Sequence, residues 1–148
     1  MEAIIFIGIQ ATGKSTFYKT RFFDSHIRIN LDMLKTRHRE NLLLHACLEM
    51  KQPFVIDNTN PTRKDRIQYI AAAQNAGFRI HGYYFRSNLV DSIRRNDSRN
   101  IAEQIPEIGI RGTFAKLEIP SFEEGFDALF YVSLVRDEFR VEEWKDEV

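Results

Sequence analysis

Residues 8–16 read Gly-Ile-Gln-Ala-Thr-Gly-Lys-Ser-Thr, a complete G-x-x-x-x-G-K-[ST] phosphate-binding pattern. Gly8 and Gly13 open backbone angles closed to other residues, so successive amides can turn inward on an anion. A helix beginning near Lys14 adds the positive end of its dipole. Lys14 is expected to reach the β- and γ-phosphates, and the Ser15 hydroxyl to ligate Mg²⁺. The loop through Gln10, Ala11, Thr12 and Thr16 therefore implies ATP or a related nucleoside triphosphate, bound with Mg²⁺.

Carboxylates and arginines at fixed distances from that loop extend the chemistry. Asp32 follows the second apolar run. There it can orient an attacking hydroxyl and accept its proton, or it can cap the helix that follows; the two roles are compatible. Asp57, after Phe54-Val55-Ile56, stands where phosphate-loop enzymes hold Mg²⁺ or orient nearby groups, and it also suits a turn before Pro61. Asn58 and Asn60 follow it on the expected acceptor side. Arg95 and Arg99 are spaced to share one helix face, and two guanidiniums there can clamp a triphosphate. Otherwise they form a solvated basic face. The four histidines show no metal-ligand spacing.

These residues need a scaffold that brings them to one edge. Short β-rich runs near 3–7, 27–30, 54–57, 79–85 and 128–135 alternate with helix-compatible segments near 14–23, 33–51, 62–76, 88–98 and 113–117. That alternation predicts an α/β three-layer sandwich, a parallel sheet of about five strands with helices on both faces. Thr59 or Asn60 is expected to cap the third helix, with Gly77 just past its end. The stretch 100–120, with Pro106, Gly109, Gly112 and Pro120, reads as a mobile lid following the arginines. In such sheets ligands lie beyond the carboxyl ends of the strands, where the candidate residues cluster.

Composition narrows the partners. A chain of 148 residues suits one domain spanning 1–148. The formal net charge is zero, against a protein that coats long nucleic acid, so any such contact is local. Basic residues gather at 28–39 and 86–99, while 138–147 is acidic. Apolar runs are too short to span a membrane, and the first leads straight into the loop, so neither an anchor nor a secretory signal is expected. The single cysteine, Cys47, is expected in the core and fits a reducing, cytoplasmic setting.

The ordered set of motifs resembles the kinase domain of phage and animal 5′-polynucleotide kinases over roughly residues 3–135. Beyond the loop, the likeness runs through Ile29-Asn30-Leu31-Asp32, Val55-Ile56-Asp57-Asn58-Thr59-Asn60-Pro61 and Arg95-Asn96-Asp97-Ser98-Arg99. Phe114 and Pro120 through Phe126 are similar to the end of the animal kinase domain. The resemblance implies transfer of the ATP γ-phosphate to the 5′-hydroxyl of a DNA or RNA end. It implies Asp32 as general base and Arg99 as lid arginine, with Arg95 beside it. Lys35, on the acceptor's 3′ side, replaces an arginine, and Leu31 replaces the arginine of Asn-Arg-Asp; Arg37, in the same basic cluster, is a further candidate for binding the acceptor. The same residues would serve a kinase for a sugar, nucleoside or antibiotic hydroxyl, or a non-catalytic ATP-binding switch.

Overall fold

Alternation within the first strand sets the architecture. In β1 (Glu2–Ile7), Ala3, Ile5 and Ile7 join one hydrophobic cluster, while Ile4 and Phe6 join another on the opposite face. A strand buried on both faces needs helices on both sides. The structure, a computed structural model, describes residues 1–145.

β1 pairs in parallel with β3 (Phe54–Ile56) on one side and β4 (Arg79–Phe85) on the other. β2 (Ile27–Ile29) lies beyond β3, and β5 (Ala128–Val135) beyond β4. The order is β2-β3-β1-β4-β5-β6. On one face α1 (Lys14–Arg21) packs Phe17, Tyr18 and nearby Phe22 onto Phe6, Val55 and Phe85. On the other, α3 (Arg37–Met50) and α4 (Arg63–Asn75) contribute Leu44, Cys47, Tyr69, Ile70 and Ala73. No helix among the described residues is long and apolar enough to cross a membrane.

The expected α/β sandwich is present, with four corrections. The sheet has a sixth strand, β6 (Glu138–Glu143), antiparallel to β5. It occupies most of the acidic segment, because Phe139 and Val141 alternate inward among the charges. A turn at Arg136 and Asp137, with φ of 53° and 64°, closes this hairpin. Trp144 then packs edge-on against Tyr84, at 5.7 Å between centroids. The end of the acidic segment, including Glu147, lies outside the described residues.

Second, the helix expected over 33–51 is two helices. α2 (Leu31–Leu34) stops at Lys35, whose φ is 74°, and Thr36 caps α3 by accepting from Arg39 N at 3.1 Å. Third, Thr62, rather than Thr59 or Asn60, caps α4, in a reciprocal box with Asp65. Fourth, α6 (Glu107–Lys116) begins well before residue 113. Its glycines lower helix propensity, yet Ile110 and Thr113 give it a buried face.

Candidate active site

Strand order reverses about β1, and the loop that leaves this strand turns back on itself. Gly13 caps α1 at φ 93°, and a Cβ there would lie 2.9 Å from the Phe139 ring. Glycine is needed at this position for backbone angle and for space alike. Lys14 is buried, its Nζ donating to the carbonyls of Gly8 at 2.9 Å and Ile9 at 2.6 Å. Burial lowers its pKa to about 8; Asp57 opposes that shift, Arg99 adds to it, and Asp32 opposes it. An ammonium stripped of water and held against carbonyls is poised for an arriving phosphate.

Ser15 donates from Oγ to Asp57 Oδ2 at 3.3 Å. Asp57, only 2% exposed at the end of β3, also accepts from Arg28 Nε at 2.7 Å. A hydroxyl and a carboxylate are the hard oxygen donors that Mg²⁺ takes, so the pair fits this ion. Among the described residues no group of three or more His, Cys, Asp and Glu side chains could hold a metal.

Asp32 lies in the first turn of α2, exposed, and makes no ion pair or side-chain hydrogen bond among the described residues. It does not cap the helix, because Asn30 does so, accepting from Met33 N at 3.0 Å. Asn30 also donates to the Asp57 carbonyl. From the other side, Leu31 N donates to Asn58 Oδ1 at 2.9 Å, and Asn58 Nδ2 donates to Glu40 Oε2 at 3.0 Å. Buried Glu40 accepts in turn from the Tyr69 hydroxyl at 2.8 Å and from Arg37 at 3.0 Å. This chain of bonds anchors a four-residue helix that could not stand alone.

α5 (Leu89–Asp97) carries Arg95, but Arg99 lies past its end, so the two do not share a helix face. The Ser98 amide folds back on Arg94 and Arg95 carbonyls and tightens the last turn. Asn96 then clamps the following loop, giving to the Ile105 carbonyl at 2.6 Å and accepting from its amide at 2.9 Å.

A cavity of about 310 Å³ gathers Gln10, Ala11, Gly13, Lys14, Ser15 and Thr16 with Asp32, Asp57, Asn58 and Arg99. Gly8 and Thr12 support the loop from beneath: Gly8 N donates to Thr59 O, and Thr12 Oγ1 to Ile9 O. Arg95 stands beside the loop, 3.5 Å from the Ala11 carbonyl, without lining the cavity. Three expected acceptor residues are not brought in. Asn60 is buried with its amide on the Phe6 carbonyl at 2.8 Å, Arg37 is held by Glu40 and Tyr69, and Lys35 ends α2. Sequence reasoning missed Arg28, Glu40 and Asn96. Of these Arg28 left a trace, as a charge inside the Ile27-Arg28-Ile29 alternation.

A protein-family model described as an AAA domain matches residues 4–118. The chain belongs to this AAA domain family. This member is also 30% identical over 129 residues to a bifunctional polynucleotide phosphatase/kinase of Schizosaccharomyces pombe, a match covering 84% of the chain and 32% of the relative. The chain spans about a third of the length of the curated relatives it matches. Chaetomium thermophilum Kti12, solved in complex with ADP-AlF3, superposes with a TM-score of 0.68 at 15% identity, over 88% of each chain. Mycobacterium tuberculosis APS kinase CysC, in complex with AMPPNP and APS, superposes at 0.57 and 15% identity, over 92% of this chain and 91% of that one. These structures share the P-loop fold. This AAA domain protein has the P-loop fold and sequence similarity to polynucleotide phosphatase/kinases.

Proposed function

We propose that the chain is an ATP-dependent kinase that moves the γ-phosphate to a hydroxyl, the 5′-hydroxyl of a DNA or RNA end being the acceptor. One observation carries the reading: Asp32, free of side-chain partners among the described residues, lines the same cavity as Lys14, Ser15 and Arg99. The relationship to polynucleotide phosphatase/kinases supports the choice of acceptor. A buried single cysteine, Cys47, is in keeping with work in the cytoplasm.

In this mechanism the loop amides and Lys14 hold the β- and γ-phosphates, and Arg99 approaches from the lid side with Arg95 behind it. Mg²⁺, held by Ser15 and Asp57, would neutralise phosphate charge. Asp32 orients the acceptor hydroxyl and takes its proton as the new P–O bond forms in line with the breaking one. Asn30, Asn58 and Glu40 hold the helix that carries Asp32.

One feature favours a smaller acceptor. Leu31 lines the cavity while Lys35 and Arg37 do not, which leaves Lys14 and Arg99 as its basic lining residues. A sugar or nucleoside hydroxyl asks for less positive charge than a polynucleotide. The deciding experiment incubates the protein with Mg²⁺ and γ-labelled ATP, offering 5′-hydroxyl DNA and RNA oligonucleotides and a panel of small hydroxyl compounds, with Lys14→Ala as control. Label on the oligonucleotide that disappears in the control supports the first reading. Label confined to a small compound replaces it with the second, and nucleotide binding without any transfer points to a switch.

A further inference from the structure

The oxygens suited to Mg²⁺ already share a positive charge that comes from the chain itself. Arg28 is the middle residue of edge strand β2, and alternation turns it away from the core cluster that Ile27 and Ile29 join. Its Nε donates to Asp57 Oδ2 at 2.7 Å and its Nη2 to Ser15 Oγ at 2.9 Å. The guanidinium also lies 6.0 Å from the centre of the Tyr18 ring, whose hydroxyl is tied to the His26 carbonyl. Its side chain is 26% exposed against 2% for Asp57, so the pair is largely out of water.

The spacing gives this contact a consequence. Two adjacent oxygens on one octahedral Mg²⁺ stand about 3 Å apart. Ser15 Oγ and Asp57 Oδ2 are separated by 3.3 Å, and the Arg28 fork spans both. A buried carboxylate requires a partner charge, and a planar guanidinium with several donors can supply one while also engaging the hydroxyl. Arg28 would therefore compete at both oxygens with a divalent ion held by Ser15 and Asp57.

We propose that Arg28 is a resident counter-cation of the Ser15–Asp57 pair, competing with the divalent ion and thereby setting how strongly nucleotide binding depends on metal. This rests on the proposed use of a metal–triphosphate complex and is independent of the acceptor. Without nucleotide, the guanidinium neutralises Asp57 and occupies the hydroxyl, so a free divalent ion gains little by entering. A metal that arrives on a triphosphate brings its remaining ligands with it and can displace the guanidinium.

The test measures the affinity of a non-hydrolysable ATP analogue twice, in EDTA and in saturating Mg²⁺, for the wild type, Arg28→Gln and Arg28→Lys. The ratio of the two affinities is the metal's contribution. In Arg28→Gln that ratio is expected to rise roughly 10- to 150-fold, the size of a lost hydrogen bond to a charged group. Arg28→Lys, which keeps the charge but loses the fork, is expected to fall between. It carries the test if Arg28→Gln does not give a cooperative melting curve. A ratio unchanged or lowered in the folded variants, while the wild type gains affinity from Mg²⁺, overturns the role of Arg28 alone. If Mg²⁺ changes affinity in no variant, the metal assignment falls with it.

Discussion

The two sides of the cavity are built in opposite ways. On the proposed donor side, one run of chain from Gly8 to Thr16 would supply the phosphate contacts, and Lys14 is buried and hydrogen-bonded to its own loop. On the proposed acceptor side, Asp32 sits exposed on a helix of four residues whose position depends on Asn30, Asn58 and Glu40, from three separate segments. The donor half is local and prebuilt; the acceptor half is assembled by long-range bonds. A fold that reuses one phosphate grip can change acceptors by adjusting the second half and leaving the first intact.

Replacing Arg99 by alanine is the strongest probe of the side facing the γ-phosphate. If its guanidinium meets the transferring phosphoryl group, kcat should drop by about 10³-fold or more, the range known for such arginines. Single-turnover transfer rates check this. Asp32→Asn should separate the two halves: transfer falls by roughly 10²- to 10⁴-fold while ATP affinity is retained. Equal losses in transfer and in equilibrium ATP binding would mean that the halves are not separable.

Asn58→Ala perturbs the helix that carries Asp32 and leaves the loop intact, since Asn58 joins the first amide of α2 to Glu40. Displacing Asp32 by about 1 Å should lower kcat by up to roughly 10²-fold. ATP affinity should stay near that of the wild type, and the pH profile of transfer should keep its shape.

The smallest effect concerns Lys14. Its pKa in the free protein is about 8, and a bound triphosphate favours the charged form and raises that value. Nucleotide binding then takes up a proton, and affinity falls as pH climbs through 8. If only the ammonium binds, affinity at pH 9 should be about tenfold below that at pH 7. Calorimetry in buffers of different ionisation enthalpy reads the proton uptake directly. A flat affinity profile across this range would mean that Lys14 is charged before ATP arrives.

The divide between sequence and tertiary structure follows the same line as the divide between donor and acceptor. From Gly8 to Thr16 the sequence alone determined the phosphate loop, because its residue types and their spacing lie within one run of chain, with Thr59 and Phe139 only bracing it from a distance. It also determined the alternation of strands and helices, since β1 and β3 appear as apolar runs and β4 as an aromatic-rich one. Charge concealed β6, where Phe139 and Val141 carry the period among glutamates. The break at Lys35 and the capping of α2 by Asn30 also escaped, because the run of helix formers continues past Lys35 while Asn30 and Thr36 cap two separate helices by accepting from amides three residues on. Only the folded chain decided that Asn60 is buried, that Asn96 fixes the loop after Arg99, and that Arg28 reaches Ser15 and Asp57. Each of those contacts joins residues whose sequence separation carries no signal, and close packing alone brings them within hydrogen-bonding distance.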